Sequence, residues 1–222
     1  ILRCLVGSEM CIRDRYCMAE ISSFLSDVAS SAPAPGGGSC SAIALAQAAA
    51  LISKVMSLSM KDASEKQKEN YAESLKALER MRGLLIELAD KDSQIFLDLI
   101  VAFRLPKNSP EEIEKRRIEI RTRYSEAAES PLNMIKAASP LRANIIFLMH
   151  NGNQNALSDT LCAAKLFEAG IQGALFNLKI NIPHLSNGAV RTNLEKACLE
   201  YQSDLNRFSV EVKEFARQQN YL

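Results

Sequence analysis

Asp92 is a carboxylate at a position where an apolar residue is expected. Around it, apolar side chains recur at spacings of three and four, through Leu85, Leu88, Phe96 and Leu99, which is typical of one face of a helix. A carboxylate on that face costs free energy unless it is paired or lies in a wet cleft. Asp92 is therefore either half of a buried ion pair or an acid–base group with a raised pKa. Both interpretations stay open at this point.

A glycine-rich turn before an alanine-rich helix is a candidate anion site. The chain reads Ala-Pro-Ala-Pro-Gly-Gly-Gly-Ser over residues 32–39, and its glycines permit any backbone angle. Free N–H groups and the helix dipole at such a helix start attract anions. The candidate binding residues are Gly36, Gly37, Gly38 and Ser39. The sequence has no lysine where a nucleotide-binding phosphate loop requires one. The alternative is a tight turn that lets two helices pack closely.

Two clusters of amide side chains could contact a ligand ring. Residues 151–159 form a polar turn, Asn-Gly-Asn-Gln-Asn-Ala-Leu-Ser-Asp, that leads into a helix. Helix capping explains one or two of these residues but not all of them. The candidate ligand contacts in this turn are Asn153, Asn155, Ser158 and Asp159. Farther along, Asn177 and Asn181 share one helix face, and they are either interhelical hydrogen-bond links or groups that read the donors and acceptors of a ring.

Nearly all of the chain after residue 17 is predicted to be helical, because apolar residues repeat with helical spacing and strand-like alternation is missing. Ser109, Pro110 and Glu112 form a strong helix start, and Pro131 is expected to kink or break the helix near residue 130. The predicted helices cover about 20–31, 38–60, 64–103, 110–130, 131–150, 158–181 and 189–220. The fold class is therefore all-α, a bundle of long antiparallel helices.

The predicted helix over residues 38–60 has one face of small side chains. Such a face lets two helix backbones approach closely, so it needs a partner helix. That partner lies either in the same chain or in a second subunit. The small residues are Gly38, Ser41, Ala42, Ala46, Ala49, Ala50 and Ser53.

The composition indicates a globular chain with no special attraction to polyanions. It has 222 residues, 47% of them hydrophobic and 24% charged, and a formal net charge of +1, so neither nucleic acid nor an anionic membrane is an expected partner. Residues 1–17 lack any periodicity and are expected to be a non-native or disordered extension, with 18–222 as a single helical domain. The longest apolar run, 43–60, is too polar for a membrane span.

The cysteines and histidines do not form a ligand cluster in the sequence. The chain has six cysteines without a CxxC pair and only two histidines, His150 and His184, which are isolated. Free thiols in a reducing cytosol are therefore expected, rather than a disulfide framework or a zinc site. The expected location is cytoplasmic, with no metal.

Five segments that occur in order resemble the formiminotetrahydrofolate cyclodeaminase family. The segment Pro33–Ser39 is similar to its PTPGGGS signature, with Ala34 in place of threonine. Asp92 with Phe96 is similar to its D-x-x-x-F pattern. The remaining matches are 102–107 (A-[YF]-R-L-P-K), 152–159 (GNxNxxSD) and 177–183 (N-[VL]-x-x-N-x-P). Together these matches span about residues 21–185.

The resemblance implies an all-α homodimer that binds a tetrahydrofolate derivative near its subunit interface. It also implies conversion of 5-formiminotetrahydrofolate to 5,10-methenyltetrahydrofolate with release of ammonia. N10 of the folate attacks the formimino carbon intramolecularly, so the protein mainly fixes geometry and supplies one base and one acid. Asp159 and Asp92 are the candidates for that pair. The other implied contacts are Asn153, Asn155, Asn177 and Asn181 on the pterin or formimino group, Arg104 and Lys107 on the glutamate tail, and the 36–39 turn on a carboxylate.

Two other functions fit the same residues. One is a methenyltetrahydrofolate cyclohydrolase on the same fold, in which water replaces ammonia. The other is a helical dimer that binds folate without catalysis, although a scaffold gains nothing from a carboxylate at position 92. Because bifunctional relatives carry a formiminotransferase domain, a separate formiminotransferase is the expected source of substrate.

Overall fold

The computed structural model describes residues 20–221, except the side chain of Asp62, and this part is helical without strands. The prediction for residues 1–17 lies outside the described residues. The helices are α1 (20–29), α2 (Gly37–Ser59), α3 (Glu65–Phe103), α4 (Pro110–Ala138), α5 (Leu141–Asn151), α6 (Leu157–Asn181) and α7 (Gly188–Gln218). Short 3-10 turns follow α2, precede α6 and follow α6. The predicted all-α bundle is confirmed.

Helix α2 is the central element, and its small face is used within the chain. It packs against both α3 and α6. A Cβ on Gly170 of α6 would lie 2.5 Å from Leu45 Cγ, and one on Gly173 would overlap Ser41 Oγ. Small residues on both helices therefore let the two backbones approach closely, so the partner of the small face is a helix of the same chain.

By length and hydropathy, α2 is also a helix that could cross a membrane, and among the described residues it alone passes that test. Half of its most apolar stretch is buried in the bundle. The core helices of soluble proteins pass the same test, so the finding is weak evidence for a membrane span.

Pro131 does not break its helix, so of the two predicted outcomes, a kink or a break, the break was wrong. Helix α4 begins as expected, with Ser109 Oγ accepting from the Glu112 N–H at 3.2 Å, but it continues through Pro131 to Ala138. Proline has no N–H, so the carbonyl of Ala127 loses its helical donor. The side-chain amide of Asn181 replaces that donor, with Nδ2 at 3.0 Å from the Ala127 oxygen. A tertiary contact thus compensates the local defect.

Replacing Gly83 with alanine is expected to stabilise the fold by about 0.5–1 kcal/mol. Gly83 lies inside α3 with its position exposed, and a Cβ there would meet no atom within 4 Å. The new side chain reduces the conformational entropy of the unfolded chain without a steric cost. Urea denaturation measures the change, and an unchanged or lower midpoint would contradict this assignment of Gly83 to open helix surface.

Candidate functional site

The start of α2 holds the carboxylate of Asp92. A Cβ on Gly38 would lie 2.6 Å from Asp92 Cγ and closer still to Oδ2, so the carboxylate rests directly on the helix terminus. The Ser39 backbone N–H donates to it, and Ser130 Oγ of α4 donates to Oδ1 at 3.0 Å. In this structure a carboxyl of the chain itself thus lies at this helix end, and contact of the turn with a substrate anion stays a prediction.

The Asp92 carboxyl is protonated more readily in its place in the fold than it would be in water. Burial is the largest influence and raises the pKa of Asp92 above its ordinary value, while the hydrogen bonds from Ser130 and Ser39 oppose that rise. No ion pair of Asp92 occurs among the described residues, so the buried ion-pair interpretation is not supported. A carboxyl with a raised pKa is suited to proton transfer near neutral pH.

The four residues of the glycine turn have different surroundings. None of the described glycines has a positive φ, so a left-handed backbone explains none of them, and lack of space for a side chain explains Gly38 alone of the three in this turn. A Cβ on Gly38 would overlap the Asp92 carboxyl. A Cβ on Gly37 would lie 3.4 Å from Asn177 Nδ2, and a Cβ on Gly36 would meet no atom within 4 Å. The Ser39 hydroxyl is buried, donates to the Ala89 carbonyl at 2.9 Å and lies 2.9 Å from Ser93 Oγ. That hydroxyl therefore links α2 to α3, and a substrate contact through it stays a prediction.

Gly38→Ala is expected to reduce turnover by about 100-fold, because the new Cβ would displace the Asp92 carboxyl by about an ångström. Gly37→Ala is the matched control. Its Cβ would be in ordinary van der Waals contact with Asn177, so turnover should stay within a few-fold. Steady-state kinetics on folded variants measure both, and equal losses for the two would show that the close approach at Gly38 is not what the reaction needs.

The predicted amides of α6 lie at this same end of the bundle. Asn177 Nδ2 donates to the Gly173 carbonyl of its own helix at 2.9 Å. Asn181 Nδ2 donates to the carbonyls of Asn177 at 2.9 Å and Ala127 at 3.0 Å. The contact with Ala127 is an interhelical link, one of the two interpretations left open. The side-chain oxygens of both residues would be the groups left to contact a ligand, and that contact stays a prediction.

The second predicted cluster surrounds the start of α6, and one of its residues forms an ion pair. Asp159 Oδ2 lies 2.7 Å from Lys54 Nζ, and 29% of the Asp159 side chain is exposed. Asn153 shapes the preceding turn, since its Oδ1 accepts from the Asn155 N–H and its own N–H donates to Ser59 Oγ, both at 2.9 Å. Asn155 and Ser158 are exposed.

A polar cavity of about 300 Å³ opens beside this turn. Residues 151–155 form one wall, and Gln67 and Tyr71 of α3 lie on the other. Its lining consists mostly of amide and hydroxyl groups, so it could hold a polar heterocycle by hydrogen bonds.

One chain does not bring the two predicted carboxylates together. Asp92 rests on Gly38, whereas Asp159 pairs with Lys54, and these α2 residues are sixteen positions apart. At 1.5 Å per residue the two contacts are about 24 Å apart along the helix. An acid–base pair of Asp92 and Asp159 within a single chain is therefore ruled out by distance, although each residue's own role stays a prediction.

Arg104 and Lys107 lie at neither cluster. Both are exposed, at and just after the end of α3. Arg104 is twelve residues beyond Asp92, which places it about 18 Å farther along the helix axis. A contact of this turn with a glutamate tail stays a prediction that requires an extended ligand or a second subunit.

The sequence interpretation overlooked Ser130, the hydroxyl donor to Asp92. A signal was present, because Ser130 falls among the apolar positions Ala127, Met134 and Ala138 of α4, as Asp92 does on α3. It also overlooked the stack of Tyr124 on His184, whose ring centroids are 4.2 Å apart with 15° between planes. That contact joins residues sixty positions apart, and no local pattern predicts it.

Within residues 20–221, His, Cys, Asp and Glu side chains form no group of three that could hold a metal ion. The expectation that the reaction uses no metal stays a prediction.

Comparison with known proteins gives sequence relatives over most of the chain. A family model described as Formiminotransferase-cyclodeaminase matches residues 20–200. The formimidoyltransferase-cyclodeaminase of Mus musculus is 32% identical over 168 residues, which cover 74% of this chain and 30% of the mouse protein. The chain thus spans about a third of that relative. A methenyltetrahydrofolate cyclohydrolase of Methylorubrum extorquens is 33% identical over 172 residues, covering 76% of this chain and 82% of the relative.

A solved structure has the same fold. The crystal structure of formiminotetrahydrofolate cyclodeaminase from Thermotoga maritima superimposes with a TM-score of 0.75 at 28% identity, covering 86% of this chain and 92% of that one. The family match includes both clusters, from the turn before α2 to the end of α6. Its extent, and the relative from Methylorubrum extorquens, establish that this chain belongs to the formiminotransferase-cyclodeaminase family.

Proposed function

We propose that this protein is a folate enzyme that closes 5-formiminotetrahydrofolate to 5,10-methenyltetrahydrofolate and releases ammonia. The observation that carries the proposal is Asp92, a mostly buried carboxyl with a raised pKa, held at the start of α2. A helical scaffold gains nothing from such a group, whereas an acid–base reaction needs it. The named activities of the family relatives supply the substrate class.

The chemistry needs only binding, orientation and proton transfer. N10 loses its proton and bonds to the formimino carbon, whose double bond to the imine nitrogen becomes single as that nitrogen takes up one proton. The remaining carbon–nitrogen bond breaks as the nitrogen takes up a second proton and leaves as ammonia, and N5 forms a double bond to the carbon. One carboxylate takes the N10 proton and a carboxylic acid protonates the departing amine. Asp92 and Asp159 are the proposed pair. The oxygens of Asn177 and Asn181, near the start of α2, would orient the ring system at the Asp92 end.

The cyclohydrolase reaction is the second candidate function. It is favoured by the Methylorubrum extorquens relative, of which this chain covers 82%. The test is a paired spectrophotometric assay that follows the absorbance of methenyltetrahydrofolate. Its growth from 5-formiminotetrahydrofolate would support the cyclodeaminase, and its loss at a rate above the uncatalysed one would support the cyclohydrolase. Folate binding without either change would reject both in favour of a non-catalytic binder.

We further propose that a second copy of the chain completes the site. The two α2 positions that contact the proposed carboxylates, Gly38 and Lys54, are about 24 Å apart in one chain, too far for one substrate carbon, so the Asp92 end of one subunit would meet the Asp159 end of its partner. An isologous contact would build two such composite sites. A formiminotransferase activity, as named in the relatives, is the proposed source of substrate.

The surface near Asp92 supports this assembly. Helix α3 continues for about 16 Å beyond Asp92. This last part of α3 and the first half of α4 form a helical hairpin, which extends beyond the start of α2. Large apolar side chains on the hairpin and on the end of α6 are more than a third exposed. They are Phe96, Leu97, Val101, Phe103, Ile113, Ile118, Phe176 and Ile180. Apolar surface of this kind commonly marks a protein interface.

A cytoplasmic location is part of the proposal. The described cysteines Cys40, Cys162 and Cys198 are free thiols, which supports a reducing compartment.

A further inference from the structure

Ser130 is the side chain that contacts the Asp92 carboxyl from α4. It is 2% exposed, and its Oγ donates to Asp92 Oδ1 at 3.0 Å. The other carboxyl oxygen, Oδ2, lies over Gly38 at the start of α2. The carboxyl is therefore held between a helix terminus on one side and a buried hydroxyl on the other.

The position of Ser130 is itself braced by its neighbours. Pro131 follows it and removes the helical donor to the Ala127 carbonyl, and Asn181 Nδ2 supplies that donor from α6 at 3.0 Å. The stretch of α4 that carries Ser130 is thus tied to the helix that also carries Asn177. The hydroxyl thus faces Asp92 from a stretch of backbone that is hydrogen-bonded to a second helix.

We propose that Ser130 is a positioning residue for Asp92, whose buried hydroxyl fixes the orientation of the carboxyl group for proton transfer. This inference rests on the proposed function, because Ser130 contributes to the reaction only if Asp92 takes part in it. The hydroxyl contacts the carboxyl and not the reacting atoms, so Ser130 acts through Asp92 alone.

Charged side chains lie near this contact on α3 and α4. From α2 the carboxyl meets Gly38 and the Ser39 N–H, which carry no charge, and Asn177 of α6, beside Gly37, is neutral. A cavity of about 370 Å³ beside Ser130 carries the charged groups, which are Lys91 and Asp98 of α3 and Arg123, Glu126 and Glu129 of α4. Arg123 pairs with Glu119 and Glu126 at 2.6 and 2.8 Å, so its charge is largely compensated.

Ser130→Ala removes the donor but leaves the burial of Asp92. Because that hydrogen bond stabilises the ionised carboxyl, its loss should raise the pKa of Asp92 further. The limb of the pH–rate profile that reports Asp92 should move to higher pH. If Asp92 is the base, turnover on the acidic limb should fall by about tenfold, with a smaller change on the plateau.

The experiment measures the pKa of Asp92 directly and the pH–rate profile in parallel, on the full chain. Carbon-13 NMR of carboxyl-labelled aspartate gives the pKa, with the Asp92 signal identified by its absence in Asp92→Asn. Ser130→Cys keeps the volume with a weaker donor, should give a smaller upward shift, and serves if the alanine variant does not fold. Ser125→Ala is the control, since its hydroxyl is exposed and bonds only the Arg121 carbonyl of its own helix.

Upward movement of both the Asp92 signal and the pH–rate limb in Ser130→Ala would support the inference. An unchanged Asp92 pKa would overturn it, whatever the kinetics show. A raised pKa with an unmoved pH–rate profile would overturn both the inference and the role of Asp92 in the proposed function, because the held carboxyl would then not take part in the reaction.

Discussion

Asp92→Asn is expected to lower turnover by about 100- to 10,000-fold, the usual contribution of a positioned acid or base, while making the fold more stable at neutral pH. Asparagine has nearly the same shape, and its one oxygen can accept from the Ser39 N–H while its Nδ2 donates to Ser130 Oγ, because a hydroxyl can accept as well as donate. It carries no charge, so it avoids the desolvation cost that raises the pKa of Asp92. Function and stability should therefore change in opposite directions.

The pH dependence of that stability gain follows from the direction of the shift. Between the ordinary aspartate pKa and the raised pKa of Asp92, the folded chain holds a proton that the unfolded chain has lost. The free energy of unfolding of the wild type therefore falls as pH rises through this window and stays lower above it. The variant should be more stable above the window, by on the order of 1 kcal/mol, and the difference should vanish below the ordinary aspartate pKa.

Urea denaturation at about pH 7.5 and pH 3.5, with kinetics at neutral pH, measures both effects. Asp204→Asn is the matched control, since Asp204 is a partly exposed residue of α7 paired with Arg207, and neither turnover nor stability should change much. Near-normal turnover of Asp92→Asn would remove Asp92 from the mechanism. A loss of stability at neutral pH would show that the buried charge is compensated by contacts other than those described.

Mixing two inactive variants is expected to restore activity if the composite site is correct. Asp92→Asn and Asp159→Asn should each lose turnover by orders of magnitude, because each removes one carboxylate from both sites of a dimer. When the two are unfolded together and refolded, half of the dimers are mixed by chance. Each mixed dimer has one site with both native carboxylates, so about a quarter of wild-type activity should return.

A third variant gives the control for this experiment. Gly38→Ala disturbs the same end of the subunit as Asp92→Asn, because the new Cβ meets the Asp92 carboxyl. Mixing these two variants leaves every site with a damaged Asp92 end, so activity should stay low. If the Asp92 and Asp159 variants also fail to complement, although native mass spectrometry with one variant nitrogen-15-labelled shows mixed dimers, the two residues do not share a site across subunits.

Local patterns were sufficient to predict most of the helices. Helical spacing of apolar residues and the Ser109–Pro110 start placed α3 and α4 within a residue or two of their actual beginnings. The same periodicity singled out Asp92, because a charged residue on an apolar stripe is visible without knowing what packs against it. It failed at Pro131, where a single residue suggests a break and the compensating donor, Asn181, lies fifty positions away.

The sequence by itself determined that this protein is a bundle of amphipathic helices with a carboxylate on an apolar stripe, since both properties arise from residues close together in the chain. Only the tertiary structure decided that Gly38 is small to admit Asp92, that Ser130 holds the carboxyl, and that Asp92 and Asp159 contact α2 at positions about 24 Å apart. Such distances depend on how helices pack against each other. Residue spacing within one helix carries no information about them, so the arrangement of the site could not be predicted from the sequence.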